Sequence, residues 1–513
     1  MKTKKAPQLR QLAQEYFGYE DLRPGQETAI KAVLKGHDTL AVMPTGSGKS
    51  AIYQMTARLI PGATVVVSPL IALQRDQVQA IGQQAVGEAA VLNSTLSAAE
   101  RQETFESLER GDLEFLFLAP EQFNNPETVA QLQNAKISLF VIDEAHCVCA
   151  WGHDFRPDYL RLGPVIESLG HPCILALTAT AAPPVRQEIL ERLGMQNPAI
   201  VVRGFNRPNI YLSAERFEKT AEKDSALIEQ AVQAAKPAIV YAATRKRTEE
   251  LATALQEEGI NAGHYHAGMK QSDRTATETA FMQDELDVLV ATIAFGMGVD
   301  KPNIRTVFHA DISDSIDAYY QEIGRAGRDG EPARATLFYD PSDLNLRRFL
   351  NQRGQLDSEA LEQVAEALQQ QDEPVRPKAL EAQVDLSKTK LKKALNQLAE
   401  VDAVETLVTG EVVSTEGMED TEAAVSAALA AQERQQQFEK SRLEMMRGYA
   451  EVRDCRRRYL LSYFGETFEP PCDNCDNCKA AAKQEASSDA SASSSDSAPA
   501  RIPFPINSRV QHT

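Results

Sequence analysis

Between residues 38 and 340 the chain alternates short apolar runs with longer amphipathic stretches. TLAVM (39–43), TVVVSP (64–69), LEFLFLAP (113–120), ISLFVID (137–143) and CILALTAT (173–180) are compact and partly β-branched. Runs of this length, apolar on both faces, suit strands buried inside a sheet, and the stretches between them suit crossover helices. The pattern predicts an α/β fold with a parallel, doubly wound sheet. After RGFNRPN (203–209) a second series begins with AIVYAAT (238–244), LDVLVAT (286–292), IRTVFHA (304–310) and ATLFY (335–339). Two tandem lobes, over 1–205 and 206–342, account for this better than one very wide sheet.

The pattern then changes. Residues 355–400 carry helical periodicity, and SKTKLKKALNQLAEVDAVETLVTGEVV (387–413) predicts a basic helix bearing Lys388, Lys390, Lys392 and Lys393, then a hairpin around Gly410. Residues 421–464 are helical again. This predicts a helical, winged-helix-like segment over 343–420 and a mainly helical, cysteine-bearing module over 421–479. From Ala480, AAAKQEASSDASASSSDSAPA is low-complexity and has no means of forming a core, so 480–500 is expected to be a flexible linker. The last stretch, RIPFPINSRVQHT (501–513), is apolar again and is expected to be the remnant or start of a further module.

Composition narrows the function. A net charge of −19 argues against a uniformly basic nucleic-acid footprint, although local grooves rather than the total set phosphate contacts. No apolar run approaches the roughly 18 residues needed to span a membrane. The N-terminus MKTKKAPQLRQLAQEY turns polar where a signal peptide would be apolar. A cytoplasmic location without a membrane partner is therefore expected. Of seven cysteines, four crowd near the end as Cys455, Cys472, Cys475 and Cys478. That spacing, with three thiols on PPCDNCDNC, predicts a four-thiolate Zn²⁺ site. Arg456, Arg457 and Arg458 beside it form a basic edge, read either as a DNA contact or as a solvated helix face.

Two further stretches carry nucleotide chemistry. MPTGSGKS (43–50) follows the first strand, with Thr45, Gly46, Ser47 and Gly48 placed to wrap phosphates by their backbone N–H groups. Lys49 would meet the β/γ-phosphates and Ser50 Mg²⁺. Met43 stands where the strict pattern has its first glycine. FVIDEAH (140–146) ends another strand in two carboxylates, Asp143 to hold Mg²⁺ and Glu144 to orient and deprotonate the attacking water. In YYQEIGRAGRDG (319–330), Arg325 and Arg328 lie three apart and are expected on one helical face, reaching across a cleft toward the γ-phosphate of ATP.

With these motifs in order, the chain resembles the RecQ family of superfamily 2 DNA helicases, over about 10–340 and again over about 435–480. YFGYEDLRPGQ (16–26), VVVSPLIALQRDQV (65–78), ALTATA (176–181), IVYAATRKRTEELA (239–252), VLVATIAFGMGVDKP (288–302) and CRRRYLLSYFGE (455–466) carry the resemblance further. It implies that the two lobes are RecA-like, that Tyr19 stacks on adenine while Arg23 and Gln26 read it, and that His146 and Gln321 sense nucleotide. It also implies that WGHDFRP (151–157) is an aromatic-rich loop that senses single-stranded DNA. Trp151 and Phe155 would offer stacking faces, and His153 and Arg156 polar and phosphate contacts. Cys149 and Ala150 depart from the more polar residues usual there. The family's winged helix and further helical DNA-binding domain do not follow the cysteines, so 355–415 is read either as an inserted wing or as a helical spacer with a solvated basic face.

The resulting expectation is an ATP- and Mg²⁺-dependent helicase, moving 3′ to 5′ on single-stranded DNA and opening forked or tailed duplexes in repair and recombination. An RNA helicase and a zinc-bearing DNA-binding regulator with a vestigial ATPase are the alternatives.

Overall fold

The computed structural model describes residues 5–493 apart from positions 24, 45, 70, 94–95, 150–156, 294, 296–300, 353–354, 372 and 408–410. Thr45, Trp151, His153, Phe155, Arg156 and the 501–513 segment therefore lie outside the described residues. Among the described residues no helix is long and apolar enough to cross a membrane.

The first lobe holds strands β1 (Thr39–Val42), β2 (Ala63–Val67), β3 (Ala89–Leu92), β4 (Phe115–Leu118), β5 (Ile137–Ile142), β6 (Cys173–Thr178) and β7 (Ala199–Val202). They form one parallel sheet in the order β3-β4-β2-β5-β6-β1-β7. The second lobe holds β8 (Ile210–Arg216), β9 (Ala238–Tyr241), β10 (Ala262–Tyr265), β11 (Val288–Ala291), β12 (Thr306–His309) and β13 (Ala333–Tyr339), again parallel, in the order β10-β11-β9-β12-β13-β8. β1, β2, β4, β9, β11 and β12 are buried along their whole length, as strands covered by helices on both faces must be. Both nucleotide motifs begin where such strands end, with Met43 and Asp143 leaving the C-terminal ends of β1 and β5, strands parted only by β6.

Residues 356–428 close a separate small core. Helices Ser358–Gln369 and Lys388–Glu400 pack with Leu380, Val404 and Val412 around Leu361, Val364, Leu391 and Leu398. β14 (Val404–Thr406) pairs antiparallel with β15 (Val412–Ser414), and Val375 bridges to Val412. The elements follow in the order helix, bridge, short helix, helix and hairpin. Leu391, Ala394 and Leu398 bury one face of Lys388–Glu400, leaving Lys388, Lys390, Lys392 and Lys393 exposed on the other. Helix Thr421–Glu451 starts in this core with Ala424, Val425 and Ala428, and ends with Leu443, Met446 and Tyr449 against the second lobe.

The cysteine module seals the second sheet. β8 is its edge strand, whose outer N–H groups would be unpaired without a cover. Leu212 N–H donates to the Asn474 carbonyl (3.2 Å) and Ala214 N–H to Asp476 Oδ2 (3.0 Å). The basic edge proves to be internal, which corrects both readings of Arg456 and Arg457. Arg456 donates to Asp476 (2.6 Å) and the Tyr449 carbonyl (2.7 Å), and Arg457 to the Arg207 (2.6 Å) and Ile210 (2.7 Å) carbonyls. Both are buried; of the three, only Arg458 is exposed, paired with Asp454. The stretch expected as a linker also differs. Helix Asp476–Ser493 extends into it, because its alanine, lysine, glutamine and glutamate residues are good helix formers even though they build no core.

Candidate nucleotide and zinc sites

Gly46 (φ +79°) and Gly48 (φ +75°) take left-handed backbone conformations that L side chains rarely adopt, and Gly48 caps helix Lys49–Ala57. A Cβ on Gly48 would lie 2.6 Å from Gln26 Nε2 and would push that amide off the loop carbonyls it holds. Gln26 is fully buried, and its Nε2 donates to the Ser47 (3.1 Å) and Gly48 (2.9 Å) carbonyls, while Arg23 reaches the Gly46 carbonyl. The Tyr19 ring lies 5.9 Å from the Arg23 guanidinium and stacks on Phe17. All three residues expected to read adenine thus sit against the phosphate loop, and Arg23 and Gln26 hold its carbonyls.

Lys49 Nζ donates to the Met43 carbonyl at 3.2 Å, and Ser50 follows it in the helix's first turn. Burial lowers the pKa of Lys49; Glu144 and Asp143 work against that, and Arg328 adds to it. Burial, and then the neighbouring Glu144 charge, push Asp143 up to about 7, opposed by Lys49. A cation and two carboxylates thus share one poorly solvated space, which suits a polyphosphate with its metal ion.

Glu144 has φ +49°, a strained conformation for a non-glycine residue at a strand end. His146 Nδ1 lies 2.9 Å from Thr178 Oγ1 and 3.3 Å from Glu144 Oε2. The Thr178 hydroxyl donates to the Thr180 carbonyl (3.0 Å), which assigns the donor role toward Thr178 to the imidazole. Gln321 Nε2 of the second lobe donates to Thr180 Oγ1 at 3.0 Å. His146 thus lies within ion-pair distance of Glu144 and is hydrogen bonded to Thr178, and Thr180 meets the Thr178 hydroxyl through its carbonyl and Gln321 of the second lobe through its hydroxyl. Thr178 and Thr180, inside ALTATA, are the links that reading the sequence left without a role.

The two arginines lie in the turn after helix Ile316–Ile323 rather than on a helical face, because the helix stops at Gly324 and Gly327 takes φ +55°. Arg207 fixes that turn by donating to the Gly324, Ala326 and Gly327 carbonyls at 3.1, 2.9 and 2.9 Å. Arg328 lies over the phosphate loop, its Cγ 3.5 Å from where a Gly46 Cβ would be. Arg325 is 7% exposed beside Tyr241, with Nε and Nη1 lacking hydrogen-bond partners.

The sulfurs of Cys455, Cys472, Cys475 and Cys478 all lie within 4.8 Å of one another. Sulfurs at about 2.3 Å from a tetrahedral Zn²⁺ stand about 3.8 Å apart, and Cys472 and Cys478 are 3.9 Å apart. The Arg458 and Cys478 N–H groups point at Cys455 Sγ (3.5 Å) and Cys475 Sγ (3.4 Å), an arrangement that favours thiolates. The four thiols fit zinc.

Residues 23–189 match the DEAD/DEAH box helicase family, 222–330 the helicase conserved C-terminal domain and 409–479 the RecQ zinc-binding domain. The chain is 41% identical over 366 residues to a probable ATP-dependent DNA helicase RecS of Bacillus subtilis (strain 168), covering 71% of this chain and 73% of that protein. It is 36% identical over 470 residues to the ATP-dependent DNA helicase RecQ of Pasteurella multocida (strain Pm70), covering 91% of this chain but only 62% of that protein. The crystal structure of the DUF1998 helicase MrfA bound to DNA shares the fold, with a TM-score of 0.54 at 18% identity over 80% of this chain and 59% of that one. Two parallel-sheet lobes, a four-cysteine module in the matching place and this degree of identity over most of a relative's length have one reading: the chain belongs to the RecQ family of ATP-dependent DNA helicases.

Proposed function

We propose that this chain hydrolyses ATP with Mg²⁺ to move 3′ to 5′ along single-stranded DNA and to open forked or tailed duplexes in repair and recombination. The observation that carries this is the row of polar residues Glu144, His146, Thr178 and Thr180 ending at Gln321 of the second lobe, with Arg328 over the phosphate loop. The carboxylate placed to activate water stands at one end of that row and the second lobe at the other, so hydrolysis is felt as lobe motion. Mg²⁺ held by Ser50 and Asp143 would neutralise phosphate charge. Glu144 orients the water and takes its proton, Lys49, Arg325 and Arg328 meet the transferring phosphate, His146 and Gln321 register its presence, and Tyr19, Arg23 and Gln26 recognise the base. Lys388, Lys390 and Lys392 are free to meet duplex phosphates.

The deciding experiment is strand displacement on tailed duplexes of both polarities, with and without ATP. Opening of 3′-tailed duplexes only, dependent on ATP, supports the reading, and equal opening without ATP sinks it. Trp151→Ala is expected to keep basal ATP hydrolysis and lose about ten-fold of its stimulation by single-stranded DNA, since one stacking platform is worth about 1–3 kcal/mol. Equal stimulation in variant and parent would remove the loop's sensing role.

The position of Asp143 has a consequence for stability. In the folded chain it keeps its proton to about pH 7, against an ordinary value of 3.8. Across that window the folded state binds more protons than the unfolded state, so stability falls as pH rises and stays lowered above it. Asp143→Asn is expected to raise the unfolding temperature of the nucleotide-free, chelator-treated chain more at pH 8 than at pH 5. The ceiling is about 4 kcal/mol, from a shift of about three pH units. Melting curves at the two pH values with equal gains would contradict this.

A further inference from the structure

The unit over residues 356–428 is attached to the two lobes in two different ways. Toward the second lobe the attachment is continuous helix and apolar packing. Thr421–Glu451 leaves the unit's own core and buries Leu443, Met446 and Tyr449 beyond it, while Arg442 donates to Ser315 (2.8 Å) and Asp317 (3.2 Å). Toward the first lobe the described attachment is polar. Arg161, ending the turn Pro157–Arg161, donates from Nη2 to the Thr406 carbonyl (2.6 Å) and from Nη1 and Nη2 to the Leu407 carbonyl (3.3 Å each). Glu405 adds a favourable charge to Arg161, and Glu400 of the same unit faces Arg192 of the first lobe.

We propose that Arg161 is a positioning residue that clasps this inserted unit onto the first lobe. The unit travels with the second lobe, and the clasp is made or broken as the lobes change their relative position. Continuous helix and close apolar packing hold the unit to the second lobe. A guanidinium bridging two successive carbonyls is the contact that a small change of position breaks, because hydrogen bonds weaken steeply when their angle is lost. The acceptors are backbone carbonyls at the end of β14, so specificity resides in the planar fork of Arg161, which one lysine ammonium reproduces only in part. Through the clasp, each closure of the nucleotide cleft brings the hairpin strands back to one place on the first lobe. The inference rests on the helicase reading for its consequence, but not for the clasp itself.

The test compares the full chain with Arg161→Ala and Arg161→Lys in three measurements: hydrogen exchange over residues 404–414, single-stranded-DNA-stimulated ATP hydrolysis, and base pairs opened per ATP on a tailed duplex. For Arg161→Ala, exchange over 404–414 is expected to speed by about ten-fold. Hydrolysis should stay within about two-fold while base pairs opened per ATP fall by about five-fold, with Arg161→Lys intermediate. Parental exchange and parental yield per ATP in Arg161→Ala would overturn the clasp. So would loss of hydrolysis in step with unwinding, since Arg161 lies outside the nucleotide cleft. Absence of DNA-stimulated hydrolysis in the unsubstituted chain would sink the helicase reading, and the exchange measurement would still decide the clasp.

Discussion

Lys49→Ala is expected to lower DNA-stimulated ATP hydrolysis by about three orders of magnitude and to abolish strand displacement, in line with the loss of a preorganised charge at a transferring phosphate. Two effects combine. The ammonium that would meet the β/γ-phosphates is lost. Asp143 also loses the cation that opposes its burial and the repulsion from Glu144, so it holds its proton more tightly and becomes a poorer metal ligand. The fold should survive, because the Lys49 bond lost is the one to the Met43 carbonyl, and the loop keeps Gln26 and Arg23 on its other carbonyls. Steady-state hydrolysis with saturating single-stranded DNA, beside a melting curve, separates these effects. A variant that melts like the parent and keeps more than about a tenth of its hydrolysis would remove Lys49 from the chemistry and favour a DNA-binding regulator.

The sequence yielded strands in proportion to their burial. The nine runs read from the chain correspond to β1, β2, β4, β5, β6, β9, β11, β12 and β13, all internal to their sheets. The strands that went unread, β3, β7, β8 and β10, are the edges of the two sheets. An edge strand needs no continuous apolar run: AGHY and AIVV are largely half-buried or exposed, and β8 takes its cover from a cysteine loop over 250 residues later in the chain. The phosphate loop and the carboxylate pair were legible because their spacing follows from local backbone geometry. The partners that complete the site were not. Thr178, Thr180 and Arg207 act through tertiary contact, and the burial of Arg456 and Arg457 is set by carbonyls of residues 207–210 and 449. Arg325 and Arg328 were misplaced onto a helix because helical spacing does not register the stop at Gly324.

Cys472→Ser is expected to reduce zinc from about one ion per chain to a small fraction, and to destabilise the second lobe as well as the module itself. The coupling runs through β8. With the loop unpinned, Leu212 and Ala214 lose the acceptors Asn474 and Asp476, and Arg456 loses its carboxylate partner while remaining buried against the Tyr449 carbonyl. Two backbone hydrogen bonds at about 1 kcal/mol each and one buried charged pair at about 2 kcal/mol give a loss of about 4 kcal/mol. Phe464 would also loosen from Phe205, on which it stacks at 4.3 Å, and Phe205 lies in the segment joining the two lobes. The damage should therefore reach the nucleotide cleft: hydrolysis should fall at elevated temperature before it falls at low temperature, because the lobes lose their common brace rather than their chemistry. Metal content, a melting curve and the temperature dependence of hydrolysis test this together. Parental zinc content with a parental melting curve would show that Cys472 holds no metal and that β8 has another support.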